Sequence, residues 1–331
     1  MRAWRRWVAL LDRREVGTTM ALCRILIGAA ALYTILNDVS IVTPVLLDVS
    51  EGGYRPLGEG PFLVRWLGGP SKELTFGLIA ANIASSVALI AGVLPRVMAL
   101  VCLQAHIAVA DLNTQAGGSY DELLSNALWL MVFARSDTTL SLLCRLRTGR
   151  WTDRETLVPA WPRYLLMFQL LLVYTSTGTQ KLSTHWLPGG DLGALYYILL
   201  QPSWSRFDMS WLAWVFPVTQ AATLGTWLFE VFAPLLLIAM WGRSDRVKAG
   251  PLRRLLCRIE YRDLFAFFGV MMHLTIHAVM EVGPFSVISL AFYPALWHPD
   301  EWARMARVIG TASRRSAATS SPSRTPDRPA G

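Results

Sequence analysis

The sequence predicts an all-α integral membrane protein, a bundle of about eight transmembrane helices (seven to nine) with no large extramembrane domain. Three observations lead to this fold class. The 331 residues are 53% hydrophobic and only 16% charged, an apolar share above that of an ordinary soluble domain. Apolar runs approach the roughly 20 residues that a helix needs to cross hydrocarbon. The basic residues lie mainly between alternate runs. A soluble enzyme is therefore not expected.

The apolar runs follow one another along most of the chain. The last and longest is interrupted at Gly283 and Pro284, where proline removes a helical hydrogen bond, so it is interpreted as two helices. The predicted spans are 17–36, 74–93, 97–110, 123–143, 164–178, 211–241 and 264–297.

The basic residues predict the orientation. With the N-terminus inside and eight spans, 25 of the 31 Lys and Arg residues fall on inner segments and five on outer ones, as the positive-inside rule requires. The net charge of +8 then reflects membrane insertion and contact with anionic lipid, and nucleic-acid binding is not expected. We predict a multi-pass plasma-membrane protein with both termini cytoplasmic, divided into a basic N-terminus (1–16), a bundle (17–300) and a disordered basic tail (301–331).

Polar residues within predicted spans carry most of the functional information, because burying them in hydrocarbon is costly unless they pair or face a cavity. One interpretation is that Arg24 pairs with Glu230 across helices. Another is a metal site on one face of the seventh run, although its histidine and glutamate spacing lacks the HExxH order of zinc proteases. The four cysteines form no CxxC pair, so we expect no metal. The polar positions of that face are His273, His277 and Glu281.

Residues 173–200, VYTSTGTQKLSTHWLPGGDLGALYYILL, resemble the hallmark segment of the HTTM family, the horizontally transferred transmembrane domain related to vitamin K-dependent gamma-carboxylase. A membrane helix ends in a small residue and glycine, and Lys-Leu, Trp, Gly and an apolar helix follow. Further pieces resemble the family in the same order, so that the likeness covers about residues 10–300. The matching pieces are LCRILIG at 22–28, AGGSYDELL at 116–124, the turn at 136–141 and MHLTIHAVMEVGPFSVISL at 272–290.

The resemblance implies that Lys181 is a catalytic base. In the carboxylase relatives, the matching lysine deprotonates reduced vitamin K, and reaction with oxygen then yields the strong base that removes a glutamyl proton before carbon dioxide adds. A lysine desolvated at the outer membrane boundary suits this role. The alternative is that Lys181 only extends from a helix end into the headgroups. Trp186, Arg24 and Glu230 are the residues predicted to bind the cofactor, reduced vitamin K or menaquinol. We expect a quinol-sized cavity that opens toward the outer leaflet and is lined by Lys181, with His273 or Glu230 within reach.

Two departures from the family bear on this prediction. The carboxylase histidine that holds the lysine corresponds to about Tyr120 or Asp121, neither of which is histidine. Asp121 is a second candidate catalytic residue, predicted either to orient the ammonium or to act as a helix N-terminal residue with Glu122. His273, which matches a family position, is the third candidate catalytic residue. The vertebrate-type carboxylase has a large non-cytoplasmic β-rich domain after its membrane bundle, and propeptide-bearing substrates bind there. We expect no counterpart of this domain after the last span, so recognition of a propeptide-bearing substrate is not expected.

Two classes of function follow, and a third is a lower-ranked alternative. The first is a quinol-dependent epoxidase or carboxylase, a carbon-carbon lyase with Lys181 as base. The second is a non-catalytic accessory protein for production or maturation of a secreted peptide, as in bacterial HTTM relatives. The third is a small-molecule transporter. The expected partners are membrane lipids and a secreted peptide or small membrane protein.

Overall fold

Helices make up most of the described chain, as the sequence predicts. The computed structural model describes residues 2–39, 46, 62–113, 117–244 and 250–308. Most of the predicted outer segment 37–72 and the tail after residue 308 lie outside these ranges. The elements are α1 (Arg2–Leu11), β1 (Arg14–Val16), α2 (Thr18–Val39), α3 (Phe62–Trp66), α4 (Lys72–Ala91), α5 (Pro95–Ala110), α6 (Ser119–Phe133), α7 (Leu142–Thr148), β2 (Leu157–Pro159), α8 (Trp161–Gln180), α9 (Ala194–Leu199), a 3-10 turn (Ser210–Val215), α10 (Phe216–Val231), α11 (Leu235–Ser244), α12 (Pro251–Arg258), α13 (Tyr261–Val279), α14 (Phe285–Leu290), a second 3-10 turn (Tyr293–Leu296) and α15 (299–308).

Two of the described helices are long and apolar enough to cross a membrane, over Thr18–Asn37 and Lys72–Ala91. Shorter apolar helices cover Pro95–Ala110 and Phe285–Leu296. The helix between 72 and 91 has a serine N-cap, Ser71, whose side chain accepts from the Leu74 N–H, which satisfies one of the free donors of the first turn.

Three predicted spans are wrong in extent. The fourth ends at Phe133 rather than at 143, because polar residues 136–141 form a turn whose carbonyl oxygens bind Arg24. The sixth is two helices, α10 and α11, separated around Pro234, which cannot donate a helical hydrogen bond. The last run breaks before Pro284 as predicted, but α14 is only six residues long. Residues 301–308, predicted to belong to a disordered tail, are helical.

The segments predicted to face the cytoplasm meet at one end of the bundle, the inner end. Strand β1 pairs antiparallel with β2, with Glu15 opposite Val158. The Glu15 carboxylate accepts two hydrogen bonds from Arg163 at 2.8 and 2.9 Å. Arg262, at the start of α13, donates to Glu301 of α15 at 2.6 Å. Contacts between predicted inner segments therefore tie the two ends of the described chain together.

The segments predicted to face outward meet at the other end of the bundle, which is called the outer end below. The Arg206 N–H donates to the carbonyl of Val279, and its guanidinium lies 3.4 Å from the Glu281 carboxylate. The Tyr120 ring, at the start of α6, approaches Gly283. A continuous apolar core from α2, α5, α6, α8 and α13 separates the two ends.

Candidate functional site

Lys181 is the residue that follows the last turn of α8. Its ψ of 73° leaves the helical region, so the chain turns away and the side chain lies beyond the helix end. Tyr174, Gly178 and Lys181 are separated by four and three residues, a spacing that places them on one face of α8. This face packs against α10, whose last turn contains Glu230.

Lys181 and Glu230 form a close ion pair. The Lys181 Nζ lies 2.7 Å from Oε1 and 2.6 Å from Oε2 of Glu230. The side chains are 20% and 8% exposed, respectively. A buried carboxylate beside a single accessible ammonium is compensated in charge, whereas either group alone would be costly to desolvate. Of the two residues expected within reach of Lys181, Glu230 makes the contact, and His273 bonds to Tyr174 instead.

Gly178 permits this pair to form. A Cβ atom at Gly178 would lie 2.8 Å from the Glu230 Cβ and 2.9 Å from the Val231 backbone nitrogen. Such distances are below van der Waals contact, so only glycine allows α8 and α10 to approach this closely. The glycine three residues before Lys181 therefore has a packing role.

An ordered loop covers the pair. The Trp186 ring lies 4.2 Å from the Lys181 Nζ, a cation-π distance. Farther along, the Asp191 carboxylate accepts from the Gly193 N–H at 3.0 Å and contacts the His185 Nδ1 at 2.8 Å. These contacts, with the Gly193 N–H first, hold the pKa of Asp191 below its ordinary value. The Tyr197 hydroxyl donates to the same carboxylate, which raises the pKa of Tyr197.

His273 belongs to a buried polar network rather than to the ion pair. Its Nε2 lies 2.6 Å from the Tyr174 hydroxyl, which lies 2.7 Å from the Tyr293 hydroxyl. Gly269 gives Tyr293 room, since a Cβ there would overlap the phenol oxygen. The network adjoins the pair through Phe229, whose ring packs edge-on against Tyr174 at 4.9 Å.

Arg24 does not pair with Glu230. Its guanidinium donates to the carbonyl oxygens of Ser136 and Leu140, in the turn after α6, and the side chain is fully buried. The hypothesis of an Arg24–Glu230 pair is therefore wrong. Arg24 instead satisfies buried carbonyl groups of the turn that follows α6, and it lies away from the predicted cofactor site.

Asp121, at the third position of α6, caps the first turn of this helix. Its Oδ2 accepts from the Gly118 N–H at 2.8 Å, as the helix-capping alternative predicts. Its Oδ1 lies 3.3 Å from the His106 Nε2 of α5, without the alignment of a hydrogen bond. The described contacts of Asp121 are thus with α5 and its own helix, and none involves Lys181.

The three polar residues of the seventh run separate instead of converging. His273 bonds to Tyr174, the His277 ring packs edge-on against Tyr33 at 6.0 Å, and Glu281 pairs with Arg206 beyond the end of α13. Among the described residues no group of three or more His, Cys, Asp or Glu side chains is placed to hold a metal ion.

A cavity of about 1230 Å³ lies at the inner end, around the first turn of α8. It is lined by Arg163, Tyr164 and Met167 but not by Lys181, which lies some 25 Å farther along α8 at about 1.5 Å per residue. This cavity is not the outward-facing, Lys181-lined quinol cavity that the sequence interpretation anticipates.

Several contact residues escaped sequence reasoning. Tyr174 and Tyr293 were not singled out because a tyrosine in an apolar run is ordinary core composition. The contact between His106 and Asp121 was not anticipated, because the two residues lie on different helices, α5 and α6. Asp191 carried one signal, its position two residues before a glycine, typical of an Asx turn.

Comparison of the chain with known protein families, with curated proteins and with solved structures yields no match.

Proposed function

We propose that the chain is a plasma-membrane protein of about eight passes whose outer end carries a proton-transfer centre, Lys181–Glu230, acting on a lipid-soluble quinol. The membrane placement is supported by two apolar helices of spanning length and by the gathering of the predicted inner segments at one end. Large apolar side chains exposed on successive turns of α8 and α13 suit a lipid-facing perimeter. These side chains are Leu165, Phe168, Leu172, Phe267, Phe268, Met271 and Leu274.

The observation that carries the proposed chemistry is the contact of one ammonium with both oxygens of a buried carboxylate. As Nζ passes a proton to the Glu230 carboxylate, its electron pair becomes free to take the proton of a bound hydroxyl. The carboxylate is then the final proton acceptor, and the lysine is again an ammonium. Glu230 thus activates Lys181 as a base.

The side chains around Lys181 suit a quinol ligand. Lys181 supplies the proton acceptor, and Trp186 supplies an aromatic face 4.2 Å from Nζ. Leu182, 73% exposed, adds apolar surface beside the lysine, from which a membrane-dissolved ligand can approach. A bound quinol would supply the oxygen-dependent chemistry that the resemblance to the carboxylase implies, namely epoxidation with or without carboxylation of an acceptor. The chain's own task is to take the hydroxyl proton at Nζ and hold it near Glu230.

A second function, assistance to a secreted peptide, is favoured by the surface near the site. The chain between α9 and α10 exposes aromatic side chains in a segment with few charges. An exposed apolar surface of this kind marks a binding region for protein or lipid. In this alternative the Lys181–Glu230 pair serves to hold α8 against α10. The exposed residues are Trp204, Phe207, Trp211 and Trp214.

The test is epoxide formation from reduced vitamin K and from menaquinol by the full chain, purified in detergent and supplied with oxygen. We expect Lys181→Arg to keep the ion pair but to lose about 10²–10⁴-fold in rate, the range for removal of a general base, since guanidinium does not release its proton. Glu230→Gln should also lose activity. Lys72→Arg is the matched control, because Lys72 is exposed and starts another helix.

Two outcomes would contradict the enzyme hypothesis. One is an undiminished rate in Lys181→Arg. The other is no epoxide from folded wild-type protein with either quinol, which would support the accessory role. Binding of a secreted peptide encoded beside this gene would then be measured with wild type and with Trp214→Ser, and loss of binding in the variant would locate the peptide on the aromatic surface.

A further inference from the structure

The cavity at the inner end is built from distant parts of the chain. Its walls come from α1, β1, α8, α11, α13 and α15. Its volume of about 1230 Å³ exceeds the roughly 300–1,000 Å³ that holds a drug-sized molecule. A pocket of this size has room for a charged headgroup and the first part of an acyl chain.

The cavity is lined by more arginines than carboxylates. Five arginines line it, and two of them are already bound to carboxylates, Arg163 to Glu15 and Arg262 to Glu301. The other three are exposed and have no ion-pair partner within the part of the chain that the structure describes. Asp300, the remaining acidic wall residue, lies 3.3 Å from the His298 Nδ1. The uncompensated arginines are Arg13, Arg14 and Arg304.

Apolar side chains also line the cavity, and α11 contributes apolar residues alone. Leu237 and Met240 of α11 and Met167 of α8 line it, together with Leu10 of α1. Leu237 is 47% exposed, so the wall opens to the surroundings. A cavity that combines arginines with an apolar α11 wall matches a ligand with an anionic head and a hydrocarbon tail.

Helix α1 indicates where the cavity lies relative to a membrane. Trp4, Trp7, Val8 and Leu11 are exposed and recur with the spacing of one helical face, while arginines occupy other positions. An exposed apolar face with tryptophans and flanking arginines is typical of a helix lying in the interface plane. The cavity beside α1 is therefore at headgroup level on the inner side.

We propose that this cavity is a binding site for an anionic phospholipid of the inner leaflet, with its phosphate held by Arg13, Arg14 and Arg304 and its acyl chain against Leu237 and Met240. The site rests on the proposed membrane placement but not on the chemistry at Lys181. A soluble phosphate would share the arginines but gain nothing from the apolar wall.

The test measures lipid retention by the full chain in mild detergent, using native mass spectrometry with phosphatidylglycerol or phosphatidylcholine added. Wild type should retain phosphatidylglycerol preferentially. The triple variant Arg13→Gln, Arg14→Gln, Arg304→Gln should lose roughly a hundredfold in affinity, at about fivefold per arginine. The matched control replaces three exposed arginines of the same charge on predicted inner segments outside the cavity, Arg145, Arg150 and Arg154, and should retain the lipid.

Two further measurements distinguish a lipid site from a site for a soluble anion. Leu237→Asn should weaken phosphatidylglycerol binding while leaving binding of inorganic phosphate unchanged, whereas equal losses would overturn the role of the apolar wall. Displacement of the lipid by millimolar inorganic phosphate alone would identify a soluble anion site. Equal retention of both lipids, or equal losses in the triple variant and the control, would overturn the proposal. Failure of the membrane placement is distinguishable, since the chain would then stay soluble without detergent.

Discussion

The two ends of the bundle each contain a buried ion pair, and the two pairs differ in the cation. At the inner end Arg163 binds Glu15 through two nitrogens, with both side chains at most 5% exposed. At the outer end Lys181 contacts Glu230 through a single nitrogen and is 20% exposed. Arginine offers a fixed two-pronged donor that keeps its proton, whereas lysine is a point charge that can release one.

This difference indicates that the two ion pairs have different roles. The inner pair fixes chain segments separated by 148 residues, and Arg163 additionally donates to the Ala295 carbonyl. The outer pair joins only α8 and α10 beneath an exposed loop. We infer that the inner pair contributes mainly to stability and the outer pair mainly to proton transfer.

Glu15→Gln tests this difference in roles with the largest expected effect. It leaves the Arg163 charge buried without a carboxylate, which costs about 3–5 kcal/mol. Glu230→Gln should cost less, about 1–3 kcal/mol, since Lys181 is near the surface and can reach water. Thermal unfolding of the detergent-purified proteins, followed by tryptophan fluorescence, measures both.

The control for this comparison is the double variant Glu15→Gln, Arg163→Met. Because it removes both charges, it should be more stable than Glu15→Gln alone. Equal melting temperatures for Glu15→Gln and wild type would contradict the structural role of the inner pair. A greater loss in Glu230→Gln than in Glu15→Gln would reverse the comparison.

Gly178→Ala tests the packing of α8 against α10 at the outer ion pair. The added methyl group meets Glu230 Cβ and the Val231 nitrogen at less than 3.0 Å, so α10 must shift. We expect a loss of about 1–3 kcal/mol, as for overpacking elsewhere, and a fall in any Lys181-dependent rate. Gly225→Ala is the matched control, because a Cβ atom at Gly225 of α10 meets no atom within 4 Å. Equal stability of the two variants would show that the helices separate without cost.

The sequence indicated the helices better than the contacts between them. Runs of apolar residues located α2, α4 and α5 to within a few residues, because helix length and burial are local properties. Lys181 and Glu230 were each singled out, but Arg24 was considered as the partner of Glu230. Which cation meets a carboxylate depends on the packing of α8 against α10, and that depends on a single glycine, Gly178, whose role is visible only once both helices are in place.

The smallest expected effect is a pH dependence of the order of the loop that covers the Lys181–Glu230 pair. The pKa of Asp191 is held below its ordinary value of 3.8 by the Gly193 N–H, His185 and Tyr197. A carboxyl group whose pKa is lower in the folded chain stabilises the fold above its unfolded pKa, and this contribution is lost as the pH falls through the folded value. The order of the loop should therefore persist at neutral pH and decline only below about pH 4.

Limited proteolysis of the loop between 182 and 200 at a series of pH values, with an acid-active protease, measures this transition. Wild type should become more susceptible as the pH falls below 4. Asp191→Asn, which cannot carry the charge, should be more susceptible throughout and show no such step. Asp208→Asn is the control, because Asp208 makes its described hydrogen bonds to Ser210, outside this loop. A step of the same size in Asp191→Asn would mean that another group orders the loop over Lys181.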